Sequence, residues 1–408
     1  MNLERKKIVM IIGGGISAYK SLDLIRLLLK KKCKVKVILT KSGKKFVTPL
    51  SISSLSQNNV FEEIFSKEND GKMDHIYLSR WADLILVIPT TANFISKLSK
   101  GSADDLGSTV ILASNKDIFL VPAMNVKMWG HKATQNNLKT LLSYGYKFIG
   151  PVDGNMACGE YGKGKMSSPR QIFSFLDKFF KKKDILRKKK VSAIVTTGPT
   201  KEFIDPVRYI SNESSGKQGY EIALELSRLG IKTTLISGPT KIDFGSDLKV
   251  KKVISGKEML EAVKKKLPAD IAVCAAAVSD FKPHLKKKDK IKKNQIINEI
   301  KISKNDDILD FLGKHNRYRP KLLVGFSAET ENVIENSIKK MNDKFCDMII
   351  ANDVSKKGMG FNSEYNEVSI IDKKGRVEKI KKNTKKFIAS LVVKKIIDKF
   401  LSDEKRLN

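Results

Sequence analysis

Short apolar runs alternate with amphipathic segments along this chain of 408 residues. In the first half, continuous apolar runs predict buried strands, because both faces of a parallel sheet are covered. Such strands are predicted at 8–12, 35–40, 84–89 and 119–122. Between the first two, Leu22, Ile25 and Leu29 recur at helical spacing and predict a helix over 19–30. This half is therefore predicted to form one parallel sheet with helices on both faces.

The second half repeats the alternation. Its predicted strands are 193–197, 233–237, 271–275, 322–326, 348–352 and 367–372, and its predicted helices are 219–229, 256–265, 332–341 and 385–401. The lysine-rich segment 176–190 is interpreted as a helix end plus a linker, and the aperiodic segment 280–298 as a long mobile loop. The expected fold class is α/β with two Rossmann-like domains, 1–186 and 187–408.

The formal net charge of +34 changes this picture little. Lysines are spread along the whole chain, and aromatic residues do not interleave with the basic runs as base-stacking platforms would. We therefore expect no nucleic-acid partner, although a basic nucleic-acid-binding protein stays open as an alternative. Four widely spaced cysteines without a C-x-x-C pair favour the reducing cytoplasm over a zinc site or disulfides. The apolar run 8–12 is too short for a signal peptide or a membrane span.

A glycine-rich turn follows the first strand. Residues 13–18 fit the dinucleotide pattern G-x-G-x-x-[G/A], but the next strand ends in Thr40 and Ser42 where a ribose-binding acid would be expected. Hydroxyls suit the phosphate or ribityl chain of a mononucleotide better, and Ser17 lies at a helix start that suits a phosphate. The lysines 41, 44 and 45 could instead hold a 2'-phosphate, which keeps an NADP-dependent reductase open as the alternative.

Two polar loops carry further candidate chemistry. Pro122–Trp129 contains Asn125, and 154–166 places Cys158 among glycines. With Gly15–Lys20, 75–83, 89–93 and 101–106, these motifs make residues 5–170 resemble the flavin-dependent phosphopantothenoylcysteine decarboxylases.

That resemblance implies a flavodoxin-like flavoprotein domain that binds FMN. It implies His75 as the base near the substrate thiol, Asn125 and Met124 as substrate-binding residues, and Cys158 as the acid that protonates the product ene-thiolate. The implied FMN-binding residues are Gly15, Ser17, Thr40, Ser42, Thr91 and Asn93. Lys165 stands where the family usually has Arg, which leaves the contact made there undefined.

The second half has its own motifs, a polar loop at 197–219, then 275–283, 290–293, 325–330 and 351–355. They make residues 190–400 resemble the phosphopantothenate–cysteine ligases. The resemblance implies an acyl-cytidylate mechanism with CTP and Mg²⁺, in which Lys290 stabilises phosphate charge and Asn212 polarises the acyl carbonyl with Arg208 nearby. The other implied nucleotide-binding residues are Cys274, Ala275, Ala276, Asp280, Asp306, Asp307, Ile308, Leu309, Phe326, Lys340 and Lys344. Metal ligands stay open, as does the effect of Glu213, where the family often has a basic residue.

Together the two resemblances predict a bifunctional enzyme of coenzyme A biosynthesis. The ligase would join 4'-phosphopantothenate to L-cysteine, and the decarboxylase would convert the resulting phosphopantothenoylcysteine to 4'-phosphopantetheine. The resemblance also implies homo-oligomers, with trimers through the flavin domain and dimers through the ligase domain. The residues themselves leave open CTP against ATP, the size of the oligomer and the channelling of intermediates.

Overall fold

The computed structural model describes residues 3–64, 73–292, 299–315, 317–355 and 363–407. The chain divides into two compact units, Met1–Asp184 and Ile185–Asn408. Lys293, the last residue of one ligase motif, lies outside the described residues.

The N-terminal unit is built on a parallel sheet in the strand order β3-β2-β1-β4-β5-β6. Its strands are β1 Lys7–Ile12, β2 Lys34–Leu39, β3 Val60–Phe61, β4 Leu84–Thr90, β5 Asp117–Pro122 and β6 Lys147–Phe148. A separate antiparallel hairpin is formed by β7 Val152–Asn155 and β8 Tyr161–Lys165. The chain order reverses between β1 and β4, which is where open α/β sheets bind ligands.

Helices cover both faces of this sheet. They are α1 Lys20–Lys30, α2 Pro49–Ser56, α3 Asp74–Trp81, α4 Ala92–Ser99, α5 Leu106–Leu112, α6 Val126–Gly130, α7 Lys132–Ser143 and α8 Pro169–Lys188, with 3-10 turns at Ile16–Tyr19 and Gly43–Lys45. Alternate residues of β1 are buried in the two hydrophobic cores on opposite faces of the sheet. Ile8 packs with α1 and α8 on one face, whereas Val9 packs with α4 and α5 on the other. This explains why the strand is apolar throughout.

The C-terminal unit has an eight-stranded sheet in the order β13-β12-β9-β14-β17-β18-β19-β20. The strands of this unit are β9 Ser192–Thr197, β10 Lys201–Phe203, β11 Tyr209–Ser211, β12 Lys232–Ser237, β13 Lys249–Lys252, β14 Ile271–Cys274, β15 Phe281–Pro283, β16 Ile302–Lys304, β17 Leu322–Glu329, β18 Met348–Asp353, β19 Tyr365–Asp372 and β20 Val377–Thr384. Its helices are α9 Lys217–Arg228, α10 Gly256–Lys264, α11 Ile308–Lys314, α12 Val333–Asp343 and α13 Lys385–Leu407. In this sheet the neighbouring strands β13, β12, β9, β14, β17 and β18 all run parallel. With the parallel sheet of the N-terminal unit, this confirms the predicted α/β class in both units.

The structure differs from the sequence-based expectation in three local regions. The segment 176–190 is helical as far as Lys188, because its apolar positions continue to Leu186, which is buried. Within the predicted loop 280–298, only Phe281–Pro283 depart from the prediction, because they form β15, which pairs with β16. Residues 284–292 form no helix or strand, and 293–298 lie outside the described residues. The sheet ends in an antiparallel pair, β19 and β20, and β20 was not predicted because Ile380 is its only buried residue. Charged edge strands of this kind lack the apolar signal used for prediction and protect a sheet against pairing with another chain.

Candidate functional sites

Three loops of the N-terminal unit meet at the carboxyl edge of its sheet. A Cβ atom added to Gly13 would lie 2.4 Å from the carbonyl oxygen of Pro89, and one added to Gly14 would lie 2.5 Å from Cβ of Ser42. The loops after β1, β2 and β4 are therefore packed backbone to backbone. This brings the segments that carry Gly15, Ser17, Thr40, Ser42, Thr91 and Asn93 to one edge.

Two of these hydroxyls already hold the local fold. Thr40 Oγ1 donates to the Ile12 carbonyl at 2.9 Å and accepts from the Gly43 amide at 3.1 Å. Thr91 Oγ1 caps α4 by accepting from the Phe94 amide at 3.2 Å. The hydroxyl proton of Thr40 is thus engaged, so that Thr40 could offer a ligand only an acceptor.

The segment after β5 is joined to the β7–β8 hairpin. The Met124 amide donates to the Gly164 carbonyl at 3.1 Å, and Gly162 approaches the side chain of Val126. Asn125 caps α6, since its Oδ1 accepts from the Met128 amide at 2.8 Å. With Oδ1 held in this way, the Nδ2 donors of Asn125 are the part of its amide that can bind a carboxylate.

Cys158 lies in the turn that connects β7 to β8, and it is exposed. The turn is closed by the Gly159 amide, which donates to the Met156 carbonyl, and Gly159 has a φ of 82°. The glycine-rich segment is therefore an ordered hairpin and not the irregular loop expected from its composition.

Two buried polar atoms of the N-terminal unit have no hydrogen-bond partner among the described residues. One is Nδ1 of His75, in the first turn of α3, and the other is Oε2 of Glu160, beside the hairpin turn. Buried polar groups are nearly always satisfied, so orphaned ones indicate a ligand, a water or a catalytic role. Glu160 was not among the predicted site residues.

The C-terminal unit holds a cavity of about 710 Å³ at the carboxyl ends of its strands. Its walls include every predicted nucleotide-binding residue except Lys290, and they also include Asn212 and Glu213. The loop before α9 is tied across the cavity, because Asn212 Nδ2 donates to the Val278 carbonyl at 2.9 Å. The structure therefore brings most of the predicted ligase residues together.

Two lysines line one wall of this cavity, Lys340 in α12 and Lys344 at the C-cap of that helix. Lys344 Nζ lies 3.0 Å from Asp307 Oδ2 and 3.3 Å from Asp310 Oδ1. Burial lowers the pKa of Lys344, but its bonds to these two carboxylates outweigh burial and raise it above the ordinary value. Lys344 is therefore a fixed cation. Lys340 lines the same cavity.

Lys290 and Arg208 do not line the cavity. Lys290 is exposed, and the guanidinium of Arg208 donates through Nη2 to the Ile291 carbonyl at 3.2 Å. The structure thus places Arg208 beside the segment that carries Lys290.

The cavity also contains polar residues that the sequence analysis missed. Lys385, the first residue of α13, is only 3% exposed, and burial lowers its pKa to about 8. Its Nζ lies 3.5 Å from Ser215 Oγ. Asn352 presents a buried Oδ1 without a hydrogen-bond partner in the described structure. Lys385 gave no signal because it begins a helix within a basic run, where one lysine cannot be told from the next.

No group of three or more His, Cys, Asp or Glu residues that could hold a metal ion occurs within the described residues. In the same part of the chain, no helix has the length and apolar character needed to cross a membrane.

Two family models match the chain, a flavoprotein model over residues 1–181 and the model of the C-terminal domain of DNA/pantothenate metabolism flavoproteins over 186–400. The coenzyme A biosynthesis bifunctional protein CoaBC of Haemophilus influenzae is 42% identical over 98% of this chain and 99% of its own length. The protein of the same name in Escherichia coli is 37% identical over 99% of both. A crystal structure of the C-terminal domain of such a protein is 35% identical, covers 52% of this chain and 98% of its own, and has a TM-score of 0.44.

Proposed function

This chain belongs to the family of bifunctional coenzyme A biosynthesis proteins, with a decarboxylase and a ligase activity, and we propose how its residues divide that work. The predicted family and function are thereby confirmed, and the alternatives of an NADP-dependent reductase and a nucleic-acid-binding protein find no support. We propose a decarboxylase in the N-terminal unit and a ligase in the C-terminal unit. The finer assignments below, including FMN, CTP and Mg²⁺, are proposals.

The N-terminal edge fits FMN in the chemistry of its donors. Ser17, Ser42 and Asn93 offer neutral hydroxyl and amide groups, and the 3-10 turn at Ile16–Tyr19 begins without a side-chain cap. Uncapped backbone N–H groups at such a start suit a phosphate. A protein purified without added cofactor should therefore show the absorbance of a bound flavin, and a colourless active preparation that does not respond to FMN would contradict the assignment.

The observation that carries the decarboxylase assignment is the hydrogen bond between Met124 and Gly164, which joins the Asn125 loop to the hairpin bearing Cys158. A flavin held by Ser17, Ser42 and Asn93 would supply reversible two-electron chemistry for the thiol-bearing carbon of phosphopantothenoylcysteine. His75 would accept the thiol proton, since histidine is the side chain that most often serves as a general base in enzymes. Asn125 would hold the carboxylate through Nδ2. Cys158 would protonate the ene-thiolate left after CO₂ departs.

The Cys158→Ser variant tests this division of roles. We expect it to release CO₂ but to stall before the final reduction, because only the last proton transfer needs the thiol. Mass spectrometry should then find an ene-thiol product two hydrogens lighter than 4'-phosphopantetheine. Normal product at a normal rate would assign the last proton to another group.

For the ligase, the carrying observation is the cavity lined by Asn212, Lys340 and Lys344 together with the 274–281 and 304–309 segments. We propose that the carboxylate of 4'-phosphopantothenate attacks the α-phosphate of CTP there, releasing pyrophosphate. The amine of L-cysteine then displaces CMP. Mg²⁺ would enter with the triphosphate. Asn212 would polarise the acyl carbonyl, with Arg208 nearby, and Lys290 would neutralise charge that develops on the phosphates.

The Lys290→Gln variant of the full-length enzyme tests whether Lys290 neutralises charge on the phosphates. We expect slower pyrophosphate release with CTP, because the lost charge stabilises the transition state more than the ground state. Lys287→Gln is the matched control, since Lys287 is an exposed lysine three positions earlier in the same run. Equal losses in the two variants would show that the lysine run acts only as a diffuse field.

We further propose a homo-oligomer in the cytoplasm, with trimer contacts through the N-terminal unit and dimer contacts through the C-terminal unit. Exposed apolar side chains support the first contact, among them Ile16, Leu50 and Met73. Four free cysteines suit a reducing compartment. Sedimentation of the purified protein would measure the assembly.

A further inference from the structure

One buried carboxylate in the C-terminal unit links two segments that are distant in sequence. Asp205 is 0% exposed. Its Oδ1 accepts from the amides of Val207 and Arg208 at 2.8 and 2.7 Å, and its Oδ2 accepts from the amide of Ile291 at 3.3 Å. The same carboxylate therefore closes its own turn and holds the lysine-rich segment.

Arg208 completes the link from the other side. Its Nη2 donates to the Ile291 carbonyl at 3.2 Å, and its Nη1 lies 3.6 Å from Asp205 Oδ2. Both backbone groups of Ile291 are thus bound, and its side chain is buried. The other described residues from 284 to 292 are exposed, so Ile291 anchors this segment together with the Lys287 amide, which donates to the Ile204 carbonyl at 2.9 Å.

Charge keeps the link in place at neutral pH. Burial raises the pKa of the Asp205 carboxyl, but the three backbone N–H groups and the Arg208 guanidinium outweigh burial and hold it below the usual value. The carboxylate stays ionised, and hydrogen bonds to an ionised acceptor are about twice as strong as those between neutral groups.

We propose that Asp205 and Arg208 form a latch on Ile291 that positions the neighbouring Lys290 for ligation. Asp205 is then a positioning residue that acts through Lys290, and Arg208 acts through the same segment. The inference rests on the proposed role of Lys290. An alternative is that Asp205 only shapes the 205–208 turn, in which case its effect would not depend on Lys290.

Asp205→Asn in the full-length protein tests the latch directly. Asparagine can keep the turn through one oxygen, but it lacks the charge and the second acceptor that hold Ile291. Amide hydrogen exchange of peptides covering 284–292 should speed up by roughly ten- to a hundredfold at Ile291, as expected for the loss of a hydrogen bond to a charged group. Unchanged exchange at Ile291 would overturn the latch.

A double-mutant cycle tests whether the latch acts on ligation through Lys290. If Asp205 acts through Lys290, Asp205→Asn should slow ligation in the native sequence and add little in the Lys290→Gln background. Additive losses would assign Asp205 to the turn alone. If Lys290→Gln by itself leaves ligation unchanged, the proposed role of Lys290 fails, while the exchange experiment still decides whether the latch exists.

Two further variants guard against a general loss of structure. Asp243→Asn is the matched control, because Asp243 also accepts a backbone amide, that of Gly245 at 3.1 Å, but in an exposed turn of the same unit. It should change neither exchange at Ile291 nor ligation. Arg208→Lys keeps the charge but loses the planar fork, so it should speed exchange at Ile291 less than Asp205→Asn. Faster exchange across the whole unit in Asp205→Asn, with none at Ile291 in Arg208→Lys, would count against the latch.

Discussion

The two units place their candidate sites at the same edge of a parallel sheet but build them differently. In the N-terminal unit, Thr40, Thr91 and Asn125 each accept a hydrogen bond from a backbone amide that closes a turn or caps a helix. In the C-terminal unit, the cavity wall carries Lys344, paired with acids, and the buried Lys385. One site is thus part of the local fold, whereas the other is a charged surface around open space.

This difference determines what a substitution costs. Where a site residue is also a cap, changing it lowers stability and activity together. Where a site residue is a lysine facing a cavity, its removal changes binding and can even relieve the energy of burying a charge. Variants that change activity without changing stability, or the reverse, therefore support this difference between the two sites. Variants that always change both together would contradict it.

The largest effect is expected at His75, which differs from those three residues of the N-terminal unit. Its Nδ1 holds no described partner, so His75→Asn should lower CO₂ release by roughly 10²–10⁴-fold without loss of thermal stability. His131→Asn is the control, because His131 Nδ1 caps α7 by accepting from the Ala133 amide and asparagine can do the same. Stopped-flow CO₂ release and thermal unfolding measure both; near-normal turnover in His75→Asn would remove it from the mechanism.

The next largest effect is expected on the stability of an isolated C-terminal unit, which depends on the residue at which the chain is cut. Leu186 is fully buried in the core of the C-terminal unit. A fragment 187–408 lacks this side chain, so its free energy of unfolding should fall below that of 185–408 by about 2–5 kcal/mol, the usual cost of emptying a leucine site. Urea titration of the two fragments measures the difference. Equal midpoints would show that Leu186 adds nothing there and that a boundary at 186 serves as well.

A third effect follows from the pKa of Lys385, which burial lowers from 10.5 to about 8 despite the raising effect of Glu364. Between these values the unfolded chain holds the proton more tightly than the folded one, so stability rises with pH in that window. Relative to Lys385→Met, the native protein should gain up to about 3 kcal/mol between pH 7 and pH 10.5. Denaturant titrations across this range, with the exposed Lys381→Met as control, measure the gain. A constant difference would mean that Lys385 keeps an ordinary pKa.

The smallest effect is expected at Asn125, where stability and activity can be pulled apart. Asn125→Asp keeps a capping oxygen, whereas Asn125→Ala loses it at a cost of about 1 kcal/mol. Both variants should bind the substrate more weakly, since the aspartate repels the substrate carboxylate and the alanine cannot bind it. Thermal unfolding and decarboxylation rates compare them. Full activity in Asn125→Asp would show that the side chain serves only as a cap.

Hydrophobic periodicity was sufficient for the main strands and helices, because a strand such as Ile271–Cys274 is covered on both faces and must be apolar. Residues as distant as Cys274 and Lys344 were grouped by the family resemblance and not by periodicity. Periodicity could not find β20 or the β7–β8 hairpin, whose strands are held by backbone pairing with few buried side chains. Nor could it single out Lys385, since burial of one lysine among many depends on the tertiary fold.

The hairpin tip has a consequence for chemical intervention. Burial raises the pKa of the thiols of Cys33 and Cys346 to about 12 and also raises that of Cys274, so these three stay protonated and unreactive at neutral pH. Cys158 is the exposed one. An electrophilic drug or a peroxide would therefore reach Cys158 first. If that thiol has the proposed role, such an agent would arrest the pathway between the two reactions of a single polypeptide, and a metabolite made by one half would accumulate because the other half could no longer use it.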